Sequence, residues 1–146
     1  MTLKEIIWSI VIGLLTGCIS GFIVSRFFER RAALKESQQR FEFEKQELSQ
    51  FLYHVFDELV IIEQKRDVSR LIWILGTKPF CNSLYQSTKE DNKILLASID
   101  DQIEEISTFC FCRLDSGPFD SYEEKTIVEW SNKVIQFTGR IKDMSQ

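Results

Sequence analysis

"SIVIGLLTGCISGFIVS", residues 9 to 25, holds no charged side chain and sets a small residue at every fourth position: Ser9, Gly13, Gly17, Gly21 and Ser25. The uncharged run opens at Ile6, and apolar character persists to Phe28. A helix rising ~1.5 Å per residue crosses a hydrocarbon core of about 30 Å in roughly 20 residues, so the stretch can span a membrane with some tilt. Trp8 near one end and the Phe27-Phe28 pair near the other suit the two membrane interfaces.

Charge around the run sets its direction. Lys4 precedes it beside Glu5, whereas Arg26, Arg30, Arg31, Lys35 and Arg40 follow. The positive-inside rule then predicts a single-pass protein of an inner or plasma membrane, with a short N-terminus outside and everything after the span in the cytosol. Arg26, Arg30 and Arg31 are placed to meet anionic lipid headgroups.

A rival reading exists inside the same residues. Leu15-Thr16-Gly17-Cys18 has the small-residue-then-Cys pattern of a lipobox, and cleavage there would leave a lipoprotein anchored through Cys18. A lipoprotein normally continues into a polar, flexible tether, but "ISGFIVSRFF" stays apolar and then turns basic. The uncleaved signal anchor is therefore favoured, and no A-x-A-like site recommends a cleaved secretory signal.

Glycines four apart lie almost above one another on a helix and let two backbones approach closely. The five-residue strip, widened by Thr16 and Ser20, reads as a glycine zipper and predicts a homo-oligomer. A dimer could use the strip alone, and a larger bundle could use its full width.

Beyond the span, Phe27, Leu34, Phe41, Leu48, Val55 and Ile62 recur at seven-residue spacing with no Gly or Pro until Gly76. This marks one seam of a long helix. Arg30, Ser37 and Glu44 occupy the second seam, whose first apolar member is Phe51. The pattern predicts a transmembrane signal anchor over 1–28, a juxtamembrane stalk over 29–50 and a helical domain over 51–146.

Gly76 and Pro79 are expected to stop the long helix. "CNSLYQ" reads as a short helix or a turn. Leu95, Ile99, Ile103, Ile106 and Cys110 define the next helix, opened by a capping box of Ser87 with Glu90. Gly117-Pro118 ends it. A last helix, with Ser121 and Glu124 as its capping box, carries Ile127, Trp130, Val134, Phe137 and Ile141 on one face. The fold class is all-α: one N-terminal transmembrane helix continuing into a stalk and a small cytosolic helical bundle.

Composition removes whole classes of function. A net charge of −4 argues against general nucleic-acid binding, which needs clustered excess Lys and Arg. With one histidine, His54, there is no HExxH, GxSxG or Cys-His pattern, and no Gly-rich phosphate loop. No catalytic residue, cofactor or metal site is assigned, and the chain is not read as an enzyme. Beside Tyr53 and Val55, His54 reads as a core or interface histidine. Cys81, Cys110 and Cys112 read as reduced thiols, since Cys110 and Cys112 would point to nearly opposite sides of a helix. Asp100-Asp101 and Glu104-Glu105 read as a solvated face.

Lys65, Arg66, Arg70 and Lys78 form the one cationic group that suggests a ligand. Arg66 and Arg70, one turn apart, could jointly hold a phosphate or carboxylate, while Glu63 and Asp67 offer ordinary intrahelical ion pairs instead. The expected function is an oligomeric membrane protein whose cytosolic helical domain recruits or regulates a partner. The alternatives are an effector gated by a small anionic ligand such as a nucleotide, on the general plan of bacterial defence or stress-response effectors, and the lipoprotein on Cys18. The number of aromatic side chains, twelve Phe with Trp73 and Trp130 among them, also predicts that the helical domains associate.

Overall fold

The computed structural model describes residues 3–65, 67–87, 89–114 and 117–145. Among these, five helices and no strand occur: α1 (Leu3–Lys65), α2 (Ser69–Leu75), α3 (Asn82–Ser87), α4 (Glu90–Arg113) and α5 (Ser121–Lys142). The chain divides into two compact units, Met1–Gln39 and Arg40–Gln146.

The first unit is the N-terminal part of α1, the one described helix long and apolar enough to cross a membrane. Its large side chains have no cover: Leu14, Phe22 and Phe28 are each more than 60% exposed. Two hydroxyls in the run bond carbonyls of their own helix. Thr16 Oγ1 donates to the Ile12 carbonyl at 2.7 Å and Ser20 Oγ to the Gly17 carbonyl at 3.1 Å. Arg26 and Arg31 lie over the rings of Phe22 and Phe27, at 5.3 and 4.5 Å.

The second unit is a helical bundle around a continuous apolar core. The later part of α1 contributes Phe41, Leu48, Leu52, Val55, Leu59 and Ile62, all buried. Burial therefore starts at Phe41, ten residues before the onset expected from the second seam. The cover comes from far along the chain: Glu44 accepts a hydrogen bond from the Leu84 backbone N–H at 3.0 Å, and Lys45 Nζ donates to the Met144 carbonyl at 3.3 Å. Glu44 thus serves one of the otherwise unpartnered N–H groups in the first turn of α3.

The long helix does not run to Gly76. It ends at Lys65, and α2 begins at Ser69. Asp67 Oδ1 accepts from the Ser69 backbone N–H at 3.0 Å, the local side-chain competition by which Asp interrupts a helix without Gly or Pro. That hydrogen bond holds the Asp67 carboxyl below its ordinary range. Val68, buried as the chain turns, anchors the break in the core. Gly76 closes α2, with its N–H on the Ile72 carbonyl at 3.1 Å; a Cβ there would stand 3.3 Å from the Trp73 carbonyl.

Helices α4 and α5 follow the apolar phase of the sequence. Leu95, Ile99, Ile103, Ile106 and Cys110 are buried on α4, and Ile127, Trp130, Val134 and Ile141 on α5. Phe109 joins the two, its ring 5.1 Å from Trp130 in an edge-to-face arrangement. An Arg113–Glu123 ion pair closes the same end. The capping details differ from the expected ones. Ser87 belongs to α3, and Lys89, with no side-chain bond to the helix, is the N-cap of α4. On α5 the box forms one residue earlier: Asp120 accepts from the Tyr122 and Glu123 N–H groups while the Glu123 carboxylate accepts from the Asp120 N–H at 2.9 Å.

Candidate functional site

Two side-chain stripes with the same spacing face one another in the helical domain. On α1 they are Glu47, Gln50, Phe51 and His54; on α2 and just beyond it, Arg70, Trp73, Ile74 and Thr77. Positions i, i+3, i+4 and i+7 share one face of a helix, so each stripe forms one wall of a groove. Its volume is about 410 Å³. Phe51 is buried, whereas Trp73 keeps 73% of its surface exposed.

Arg70 is held from behind. Its Nε donates to Glu58 Oε1 at 2.9 Å, and the Glu58 side chain is only 5% exposed while that of Arg70 is 74% exposed. In a single continuous helix residues 12 apart would be separated by ~18 Å along the axis, so this pair exists because the chain turns at 67–68. Glu58, rather than Glu63 or Asp67, is the carboxylate that Arg70 meets.

The other members of the cationic group do not join it. Lys65 is exposed in the last turn of α1, and Arg66 lies outside the described residues. Lys78 Nζ donates to Asp100 Oδ1, and the Tyr85 hydroxyl donates to Asp100 Oδ2. Asp100 is therefore a structural acceptor and not part of the solvated face, to which Asp101, Glu104 and Glu105 do belong. This cluster borders a second cavity of about 330 Å³ that includes Cys81 and Phe80. Burial is the main cause that pushes the Tyr85 phenol up, with its bond to Asp100 adding to it. Burial likewise pushes the Cys81 thiol up to about 11, so it is a poor nucleophile at neutral pH. Cys110 is pushed up to about 12 by burial alone. Among the described residues no three His, Cys, Asp or Glu side chains come together in a group able to hold a metal.

His54 is exposed on the groove wall and is not a core histidine. Trp73 as a groove wall was not legible from helix phase alone, because its partner stripe lies on α1 and the intervening turn carries no Gly or Pro.

The small-residue strip is open along its described length. Ser9, Gly13, Gly17, Gly21 and Ser25 are all exposed, and a Cβ built on Gly13, Gly17 or Gly21 would meet nothing within 4 Å. Ser25 Oγ donates to Glu29 Oε1 at 3.3 Å. Arg30, like Arg26 and Arg31, is exposed.

Compared with known proteins, the chain matches no family model, no curated protein and no solved structure.

Proposed function

We propose that the chain is a single-pass membrane protein that assembles with copies of itself through the Ser9–Ser25 strip and presents its Arg40–Gln146 domain in the cytosol to recruit or regulate a protein partner. The open space around Gly13, Gly17 and Gly21 carries this reading. Each glycine costs a helix about 1 kcal/mol relative to alanine, and among the described residues nothing approaches the three positions to repay it. A second copy packed on the strip would repay it through close backbone contact. Exposed Phe43, Trp73, Phe80 and Phe111 support a domain that meets other protein surfaces, whether a partner or a second copy. Arg26, Arg30 and Arg31 support the cytosolic side, facing anionic headgroups. The apolar and then basic residues after Cys18, where a lipoprotein would carry a polar tether, favour the anchor over the lipoprotein. No chemistry is assigned to the domain; burial raises the Cys81 and Cys110 thiols and makes them poor nucleophiles at neutral pH.

The groove at Arg70 favours a second reading, in which a small anionic ligand bound to the domain changes the packing of the membrane helices.

Native mass spectrometry of the full chain in a mild detergent tests the assembly. The expected result is an intact chain in a defined oligomer that Gly17→Leu reduces to monomer, with the protease resistance of the helical domain unchanged. A monomeric wild type, or an oligomer indifferent to Gly17→Leu, refutes the strip. A chain cut before Cys18 and carrying lipid there replaces the anchor with the lipoprotein.

A further inference from the structure

We propose that the groove between α1 and α2 is a binding site for a planar aromatic molecule carrying a single anionic group, its ring stacked on Trp73 and its anion held by Arg70. This deepens the ligand reading above and rests on it for any effect in the membrane, while the binding itself belongs to the groove. Three observations converge on it. The groove, at about 410 Å³, falls within the ~300–1,000 Å³ typical of small-molecule sites. Trp73 presents a large apolar face, 73% exposed, beside Ile74 and Pro79, where a flat ring gains most from burial. Arg70 shares the helix face of Trp73 and is tethered through Nε to buried Glu58.

The tether matters because an exposed arginine normally loses side-chain freedom when it binds an anion. Arg70 has lost part of that freedom on folding and remains 74% exposed, a preorganised donor fork for a carboxylate or phosphate. Gln50 and His54 on the facing wall add polar atoms for the ligand's edge. The limit of one anionic group follows from charge. Glu47 lines the groove and Glu58 stands behind Arg70, so further phosphates meet carboxylates instead of cations.

Isothermal titration of the full chain in mild detergent, with adenosine 5′-monophosphate and indole-3-acetate as probes of unrelated rings, tests the site. At least one probe is expected to saturate with a Kd below about 1 mM. For the nucleotide, adenosine and inorganic phosphate each bind at least fivefold more weakly, and the triphosphate binds no more tightly than the monophosphate. Trp73→Ala, at an exposed position whose loss leaves the core intact, weakens the bound probe roughly tenfold or more. Saturation by neither probe up to about 5 mM, binding indifferent to Trp73→Ala, or a triphosphate bound more tightly than the monophosphate overturns the proposal. Gly17→Leu separates it from the assembly. Binding retained in a monomeric Gly17→Leu chain upholds the groove by itself, whereas an oligomeric wild type that binds neither probe sinks the groove and leaves the strip standing.

Discussion

Removing Arg70 should cost the helical domain about 2–3 kcal/mol, and most of that cost should vanish when Glu58 is neutralised as well. The Glu58 side chain is 5% exposed, and Arg70 Nε approaches it at 2.9 Å. Stranding a fully buried carboxylate costs about 3–5 kcal/mol. Here the exposed side of Arg70 lets water reach the gap, which lowers the figure. A hydrogen bond to a charged group is worth about 1.5–3 kcal/mol net, which bounds the coupling from the other direction. Glu58→Gln keeps the volume and an acceptor and should cost about 1 kcal/mol. The double variant Glu58→Gln/Arg70→Ala should then lie about 1.5 kcal/mol below the wild type, leaving a coupling of about 1.5–2.5 kcal/mol. A urea titration of the full chain in mild detergent, read by pulse proteolysis, measures all four proteins on one scale. Additive single effects, or an Arg70→Ala within 0.5 kcal/mol of the wild type, would refute both the buried pair and the turn at 67–68 that brings it together.

Two further measurements probe the fold. Phe41→Ala should destabilise the domain by about 3–4 kcal/mol, because the side chain is 1% exposed, whereas Leu34→Ala, at 65% exposed, should leave it unchanged. Equal effects would move the start of the core away from residue 40. The thiols give the domain an alkaline limit: the unfolded chain ionises its cysteines from about pH 8.5, while Cys81 and Cys110 in the fold keep their protons to about 11 and 12. The folded state then binds more protons, so stability holds below about pH 8 and falls as pH rises through 9 to 11, by up to about 1.4 kcal/mol per pH unit for each thiol. A urea midpoint as high at pH 10 as at pH 8 would contradict the buried thiols, and Cys81→Ala with Cys110→Ala should flatten the slope.

Much of this architecture is legible in the sequence because it depends on neighbours three and four residues apart. The buried faces of α4 and α5, from Leu95 to Cys110 and from Ile127 to Ile141, fall at the expected positions for that reason. What escapes is what depends on distant residues or on one hydrogen bond. The core starts at Phe41 because residues near 84 and 144 cover it, and no local pattern announces such a partner. The break after Lys65 turns on Asp67 accepting one N–H, a signal that an exposed helical Asp also carries. Arg70 stood out as a cation, but its partner Glu58 and its groove neighbour His54 depend on that break. The glycine strip is plain from spacing, and nothing in the fold of the described residues bears on its use.

The seven-residue seam of α1 has a single set of side chains and two possible uses. Phe41, Leu48, Val55 and Ile62 are at most 2% exposed within one chain, so a folded domain has already consumed them. A coiled coil along the whole seam and a folded domain are therefore mutually exclusive states of the same residues. Only Phe27 and Leu34, 53% and 65% exposed, remain available to a neighbour once the domain has closed. Self-association can extend that far along the seam and no farther, unless the domain first opens. Opening the domain would return Phe41, Leu48, Val55 and Ile62 to solvent as apolar surface.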